Sequence, residues 1–81
     1  MKKVQMVYTK YCVYCGPTKA IFKSLREKYK FDYEEIDAET PEGQKLVQKF
    51  NIMAVPTVIV DDKVAFIGLP NKDKAEAAVK E

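Results

Sequence analysis

Histidine and tryptophan are absent from this 81-residue chain, and cysteine occurs only twice. A closed zinc site built from thiolates and imidazoles is therefore out of reach for a single copy, whose remaining ligands would have to be carboxylates or come from a second chain. Two cysteines three positions apart also argue against a stapled, secreted scaffold, and a reducing, cytoplasmic setting is expected. No long apolar run is present. The opening MKKVQMVYTK begins with positive charge, but its apolar residues are few, alternate with polar ones and precede no small-residue cleavage site, so neither a signal peptide nor a membrane span is expected. An excess of charge of one sign is missing too, because 14 Lys and Arg stand against 12 Asp and Glu. The lysines are scattered among acids, which implies no nucleic-acid partner. Repeats and low-complexity stretches are lacking. With 47% apolar and 32% charged residues, the whole chain, residues 1–81, is expected to fold as one domain, near the length where a single core only just outweighs chain entropy.

Along the chain, Val4, Met6 and Tyr8 alternate within Lys3 to Thr9, and Val7 suggests a second, partly covered face, which predicts a first strand. From Cys15 to Tyr29, Thr18, Ile21, Phe22, Leu25 and Tyr29 recur at helical spacing between charged residues, giving an amphipathic helix. Phe31 to Asp37 is rich in strand formers, while Asp32, Glu34 and Glu35 blunt its alternation, as in an edge strand protected from foreign pairing. Thr40-Pro41 predicts a cap and first turn for a second helix carrying Leu46, Val47 and Phe50, and Asn51 is a left-handed stop. Thr57–Val60 and Val64–Ile67, joined by the turn residues Asp61-Asp62-Lys63, form a hairpin. Gly68 ends it, and Pro70-Asn71 opens a short last helix with Ala75, Ala78 and Val79 on its apolar face. The order βαβαββα predicts an α/β protein with a four-stranded mixed sheet: a parallel first pair by the right-handed crossover rule, and an antiparallel hairpin beside it. Helices should cover both faces. The expected core is Ile21, Phe22, Leu25, Leu46, Val47, Phe50, Val58, Val60 and Phe66, with Met6 and Met53 as packing residues rather than metal ligands.

The chemistry rests on Cys12-Val13-Tyr14-Cys15, which lies between the first strand and the N-terminus of the first helix. Unpaired N–H groups and the positive end of the helix dipole favour an anion there, and such sites lower a cysteine pKa from about 8.5 into the range ~3.5–7.5. Lys10 adds to this where it points inward. The two-residue spacer lets the second thiol close a small ring on the first, so a mixed disulfide is released internally. The residue before the first turn faces solvent and the one three positions later turns inward, which makes Cys12 the expected nucleophile and Cys15 the resolving thiol. Half of a zinc site and a purely structural disulfide are the competing readings, and the second restricts the unfolded chain little across so short a loop.

Three matches make the chain resemble the thioredoxin/glutaredoxin superfamily over nearly its whole length: Tyr8-Thr9-Lys10 followed by Cys12-x-x-Cys15 and Lys19; Ala54-Val55-Pro56-Thr57 before the hairpin; and Phe66-Ile67-Gly68 before the last helix. Ile52–Thr57 and Phe66–Pro70 look most like the small archaeal-type thioredoxins, whereas the Val13-Tyr14 spacer looks like glutaredoxins. The resemblance implies a thioredoxin-like fold of glutaredoxin size and a monomeric dithiol–disulfide oxidoreductase. It also implies a cis peptide before Pro56, which X-Pro bonds permit at about 0.5–1 kcal/mol, and a Val55 backbone that pairs with an extended substrate segment. Lys10, Tyr11, Tyr14, Val55, Pro56 and Gly68 are the implied substrate contacts. The implied partners are disulfide-containing proteins and a thioredoxin-reductase-type electron donor, with no tightly bound cofactor and no metal.

Departures leave alternatives open. Gly68-Leu69-Pro70-Asn71 stands where glutathione-binding relatives carry a Gly-Gly pair and acids, yet Lys10 and Tyr14 keep glutathione possible as a substrate, so a glutathione-dependent glutaredoxin is the second reading. Cys15-Gly16-Pro17-Thr18 offers a second frame with one active thiol. Tyr11 replaces the usual Trp ahead of the site, and the loop from Thr9 to Cys12 is one residue shorter than in most relatives. A reading from another class is a module holding zinc or an iron–sulfur cluster between two copies through Cys12.

Overall fold

The computed structural model describes residues 2–80, so residues 1 and 81 of the expected domain lie outside it. β1 spans Lys2–Tyr8, α1 Cys15–Lys28, β2 Phe31–Asp37, α2 Pro41–Phe50, β3 Thr57–Val60, β4 Lys63–Ile67 and α3 Lys72–Val79. They assemble one four-stranded sheet in the order β2-β1-β3-β4. β1 pairs in parallel with β2 and antiparallel with β3, which pairs antiparallel with β4. This is the mixed sheet that the order of elements predicts, with β2 at an edge as its acids suggest.

The alternation of β1 decides how the two layers of helix attach. Val4 and Met6 face a core shared with Phe22 and Leu25 of α1, Phe31 of β2, Val58 of β3, and Ala75 and Val79 of α3. Val7, with Ile59 and Ala38, faces the other way, beneath Leu46, Val47 and Phe50 of α2. Val7 and Gln5 are buried while Lys3 is exposed, so the second face of β1 is covered over part of its length, as the apolar Val7 suggested. The C-terminal end of α1 is tied to the middle of α3, where the Tyr29 hydroxyl donates to Glu76 at 3.1 Å and Lys28 pairs with the same carboxylate at 3.8 Å. The core is thinner than the apolar pattern suggests: Phe22, Leu25 and Val58 are buried, but Ile21, Leu46, Val47, Phe50, Val60 and Phe66 are only half-buried. Each helix layer is a single helix deep on much of the sheet, and its flanks stay in contact with water. Met6 packs as expected, but Met53 does not, because it lies in the loop between α2 and β3 and stands open to solvent.

One element boundary needs correction. The hairpin turn has two residues, Asp61 and Asp62, with φ of 50° and 64°, and Lys63 already pairs with Val60 as the first residue of β4. Two successive left-handed residues match the right-handed twist of the flanking strands, which a three-residue turn over Asp61–Lys63 would not require. Asp61 also receives the Lys3 N–H on its carboxylate at 2.9 Å and donates its own N–H to the Lys3 carbonyl at 2.9 Å, pinning the turn to β1.

Register brings three loops to one end of the sheet. Because β3 runs against β1, its first residue, Thr57, pairs with Val7 near the C-terminal end of β1, and Ile67 at the end of β4 pairs with Thr57. The loop after β1, the loop before β3 and the loop after β4 therefore share an edge. Among the described residues no helix is long and apolar enough to cross a membrane.

Candidate active site

Beyond Tyr8 the chain leaves β1, and the Cys12 N–H donates back to the Thr9 carbonyl at 3.3 Å. α1 then begins at Cys15, with Tyr14 as a cap residue whose side chain makes no capping bond and with no acid in the first turn. The Thr18 N–H and hydroxyl both donate to the Tyr14 carbonyl, at 3.1 and 2.8 Å. No carboxylate or side-chain cap thus neutralises the positive end of α1, and the backbone favours an anion on the adjacent sulfur.

Cys12 and Cys15 are joined as a disulfide, with their Cα atoms 5.4 Å apart. Cys15 is 7% exposed and belongs to the core that holds Phe22 and Met6, whereas Cys12 is half-buried at the margin of that core. Both line a cavity of about 270 Å³ whose other walls include Met6 and Tyr8 of β1, Lys10 of the loop, Lys19 of α1 and Glu35 of β2. Lys19 reaches Glu35 at 3.3 Å. The Tyr33 hydroxyl donates to the other carboxylate oxygen of Glu35 at 3.0 Å and lies 3.8 Å from the Met6 sulfur. Burial first, and then the Glu35 carboxylate, push the Tyr33 phenol well above its usual range, so it stays a donor at any physiological pH.

The residues expected at the site divide into two groups. Lys10, Cys12 and Cys15 line the thiol cavity, and Lys19, the only lysine of the first helix expected near the site, joins them. Tyr11, Tyr14, Val55, Pro56 and Gly68 lie outside its lining. The Val55–Pro56 peptide is cis, as the resemblance implied. Pro56 accepts the Gly68 N–H on its carbonyl at 2.7 Å, so these two distant residues meet at the sheet edge, and Gly68 holds φ 85°, which glycine adopts without strain. Tyr11 at 89%, Val13 at 80% and Met53 at 90% exposure stand apolar and open on the loops of this edge, together with Tyr14 and Leu69. Sequence reasoning does not place Glu35 here. Its signal is the alternation Phe31, Tyr33, Glu35 on one side of β2, which the acids on both sides of the strand obscure. A wider groove of about 600 Å³ lies between α1 and α3, lined by Pro17, Ile21, Leu25 and Leu69 among others, and holds no thiol.

Comparison with known proteins agrees with this geometry. The family model described as the thioredoxin domain matches residues 2–80. A thioredoxin from Methanocaldococcus jannaschii is 26% identical over 78 residues, covering 96% of this chain and 92% of that protein. Among solved structures, a mutant thioredoxin from Halobacterium salinarum superposes with a TM-score of 0.80 at 20% identity, covering 98% of this chain and 72% of that one. A thioredoxin-like protein from Clostridium perfringens gives 0.81 at 24% identity, covering 100% and 74%. The oxidised mitochondrial thioredoxin 3 of Saccharomyces cerevisiae gives 0.79 at 21%, covering 98% and 76%.

Proposed function

This chain belongs to the thioredoxin domain family and is a thiol–disulfide oxidoreductase, and from that premise we propose that it reduces disulfides of other proteins and is itself re-reduced by a thioredoxin-reductase-type partner in the cytoplasm. In the reduced form, the Cys12 thiolate attacks one sulfur of the client disulfide. The client S–S bond breaks, a Cys12–client bond forms, and the released client sulfur takes up a proton. The Cys15 thiol then gives up its proton and its sulfur displaces the client from Cys12, the departing client sulfur taking up that proton. Two electrons pass to the client, which leaves with two thiols, and the Cys12–Cys15 disulfide remains.

One observation carries this reading: the two thiols close on each other at the uncapped N-terminus of α1, Cys15 buried and Cys12 half-buried. The less buried cysteine is the one a client reaches, which supports Cys12 as nucleophile and Cys15 as resolving thiol. The exposed Tyr11, Val13, Tyr14 and Met53 support an apolar polypeptide rather than a small charged thiol as the client. Lys10, at the thiol cavity, is the feature that favours glutathione instead.

The test is disulfide reduction coupled to NADPH through either of two donors. Turnover is expected with thioredoxin reductase, and a potential nearer ~−270 mV than the ~−200 to −230 mV of glutaredoxins should accompany it. Turnover only with glutathione and its reductase would replace this reading by the glutaredoxin one.

A further inference from the structure

β2 carries acids on both of its sides, and they do different things. Asp32 and Glu34 are exposed. Glu35 falls on the side of Phe31 and Tyr33, reaches the wall of the thiol cavity, and has both oxygens engaged, one by Lys19 at 3.3 Å and the other by the Tyr33 hydroxyl at 3.0 Å. That double hold fixes the carboxylate in place.

The charged and titratable groups around the thiols come from every element that packs there. Lys10 enters from the loop, Lys19 and the helix N-terminus from α1, Glu35 from β2, and the Tyr8 phenol from β1. Two cations and a positive helix end all stabilise a thiolate, and a thiolate stabilised too far makes the disulfide a strong oxidant because the reduced form is preferred. A reductant needs a counterweight. Glu35 is the carboxylate in that wall.

We propose that Glu35 is a positioning residue that holds Lys19 and offsets its charge, setting the stability of the reduced Cys12 thiolate and so keeping the pair reducing. This rests on the activity proposed above. Glu35 forms and breaks no bond in the exchange; it acts through Lys19 and through its own field, and Tyr33 keeps it oriented. Both side chains of the ion pair retain contact with water, 43% for Lys19 and 25% for Glu35, so screening moderates the effect and added salt should shrink it.

The test uses the full chain, reduced, in four versions: the native sequence, Glu35→Gln, Lys19→Met, and Glu34→Gln as a control acid outside the cavity. Two readouts are taken, the pH midpoint of Cys12 alkylation by iodoacetamide and the dithiol–disulfide equilibrium against a glutathione redox buffer. For Glu35→Gln the midpoint should fall by about 0.5–1 unit. Its equilibrium should move about 3- to 10-fold toward the dithiol, which is roughly 15–30 mV. Lys19→Met should move both readouts the other way, and Glu34→Gln should move neither. If Glu35→Gln fails to fold, Lys19→Met decides. Unmoved readouts in the folded cavity variants, or shifts of the same sign in Glu35→Gln and Lys19→Met, would overturn the inference while leaving the oxidoreductase reading intact. A native protein whose thiols resist alkylation would overturn both.

Discussion

Tyr33 shows how one side chain links the core to the site. Its ring stacks on Phe22 with centroids 5.9 Å apart and meets Phe31 edge-on at 6.5 Å, while its hydroxyl donates to Glu35. Its phenol is raised above the ordinary value of about 10, chiefly by burial and next by Glu35. A folded-state value raised above the unfolded one gives stability that is whole below about pH 10 and is lost as pH rises toward the folded value. Tyr33→Phe removes this linkage together with one hydrogen bond worth about 0.5–1.5 kcal/mol. Urea unfolding at pH 7 should therefore show the native chain more stable than Tyr33→Phe by about that amount, with the gap narrowing above pH 10. A gap that stays constant between pH 7 and pH 11 would contradict this account of the phenol. Tyr29 is raised as well, by burial and by its bond to Glu76, but it is present in both proteins and cancels in the comparison.

Between elements, α2 and the end of β2 meet backbone to backbone. Gly43, in the first turn of α2, is buried, and a Cβ added there would strike the Asp37 carbonyl oxygen and the Ala38 Cα. Those are backbone atoms, so no rotamer change relieves the clash and the helix itself must move. Helix propensity favours Ala over Gly by about 1 kcal/mol, yet overpacking against a fixed backbone outweighs it. Gly43→Ala should destabilise the chain by about 2–4 kcal/mol in urea unfolding; an unchanged or higher midpoint would show that α2 shifts freely.

The same element is legible in the sequence, because its signals are local. Thr40 accepts the Gly43 N–H at 3.0 Å, Pro41 opens the helix, and Asn51 ends it at φ 54°, each as its residue type predicts. The hairpin turn reads one residue too long because its Asp61-Asp62 pair adopts the left-handed region that Asn-Gly usually signals. The irregular register between Val58 and Ile59, where Ala65 is passed over in the pairing with β4, has no sequence signal at all. In β2 the difficulty is different: three acids read as one protective set, although period-two geometry separates Glu35 from Asp32 and Glu34.

At the scale of the molecule, topology does what no local pattern announces. The Cys12 loop, Pro56 and Gly68 are far apart in sequence, and antiparallel pairing of β3 with β1 and β4 delivers them to one sheet edge. The thiol pair itself is legible because one short stretch carries both cysteines and the helix start, and the approach of Lys19 follows from its place on α1. The Pro56–Gly68 contact and the Glu35 wall depend on pairing register, so motif resemblance indicates the first only by analogy, and the second has only the obscured period-two alternation of β2 behind it. The thin core belongs to this scale as well, since a sheet with few covering helices leaves many of its apolar residues in partial contact with water.

The division of labour between the thiols is tested most directly by trapping. Reduced Cys12→Ser and Cys15→Ser variants are mixed with a disulfide-bearing polypeptide, and the products are resolved by mass without reductant. Cys15→Ser should accumulate a covalent adduct through Cys12 that dithiothreitol releases, while Cys12→Ser should give none and turn over nothing. An adduct on Cys12→Ser with none on Cys15→Ser would contradict the account, because the buried sulfur would then be the one that attacks.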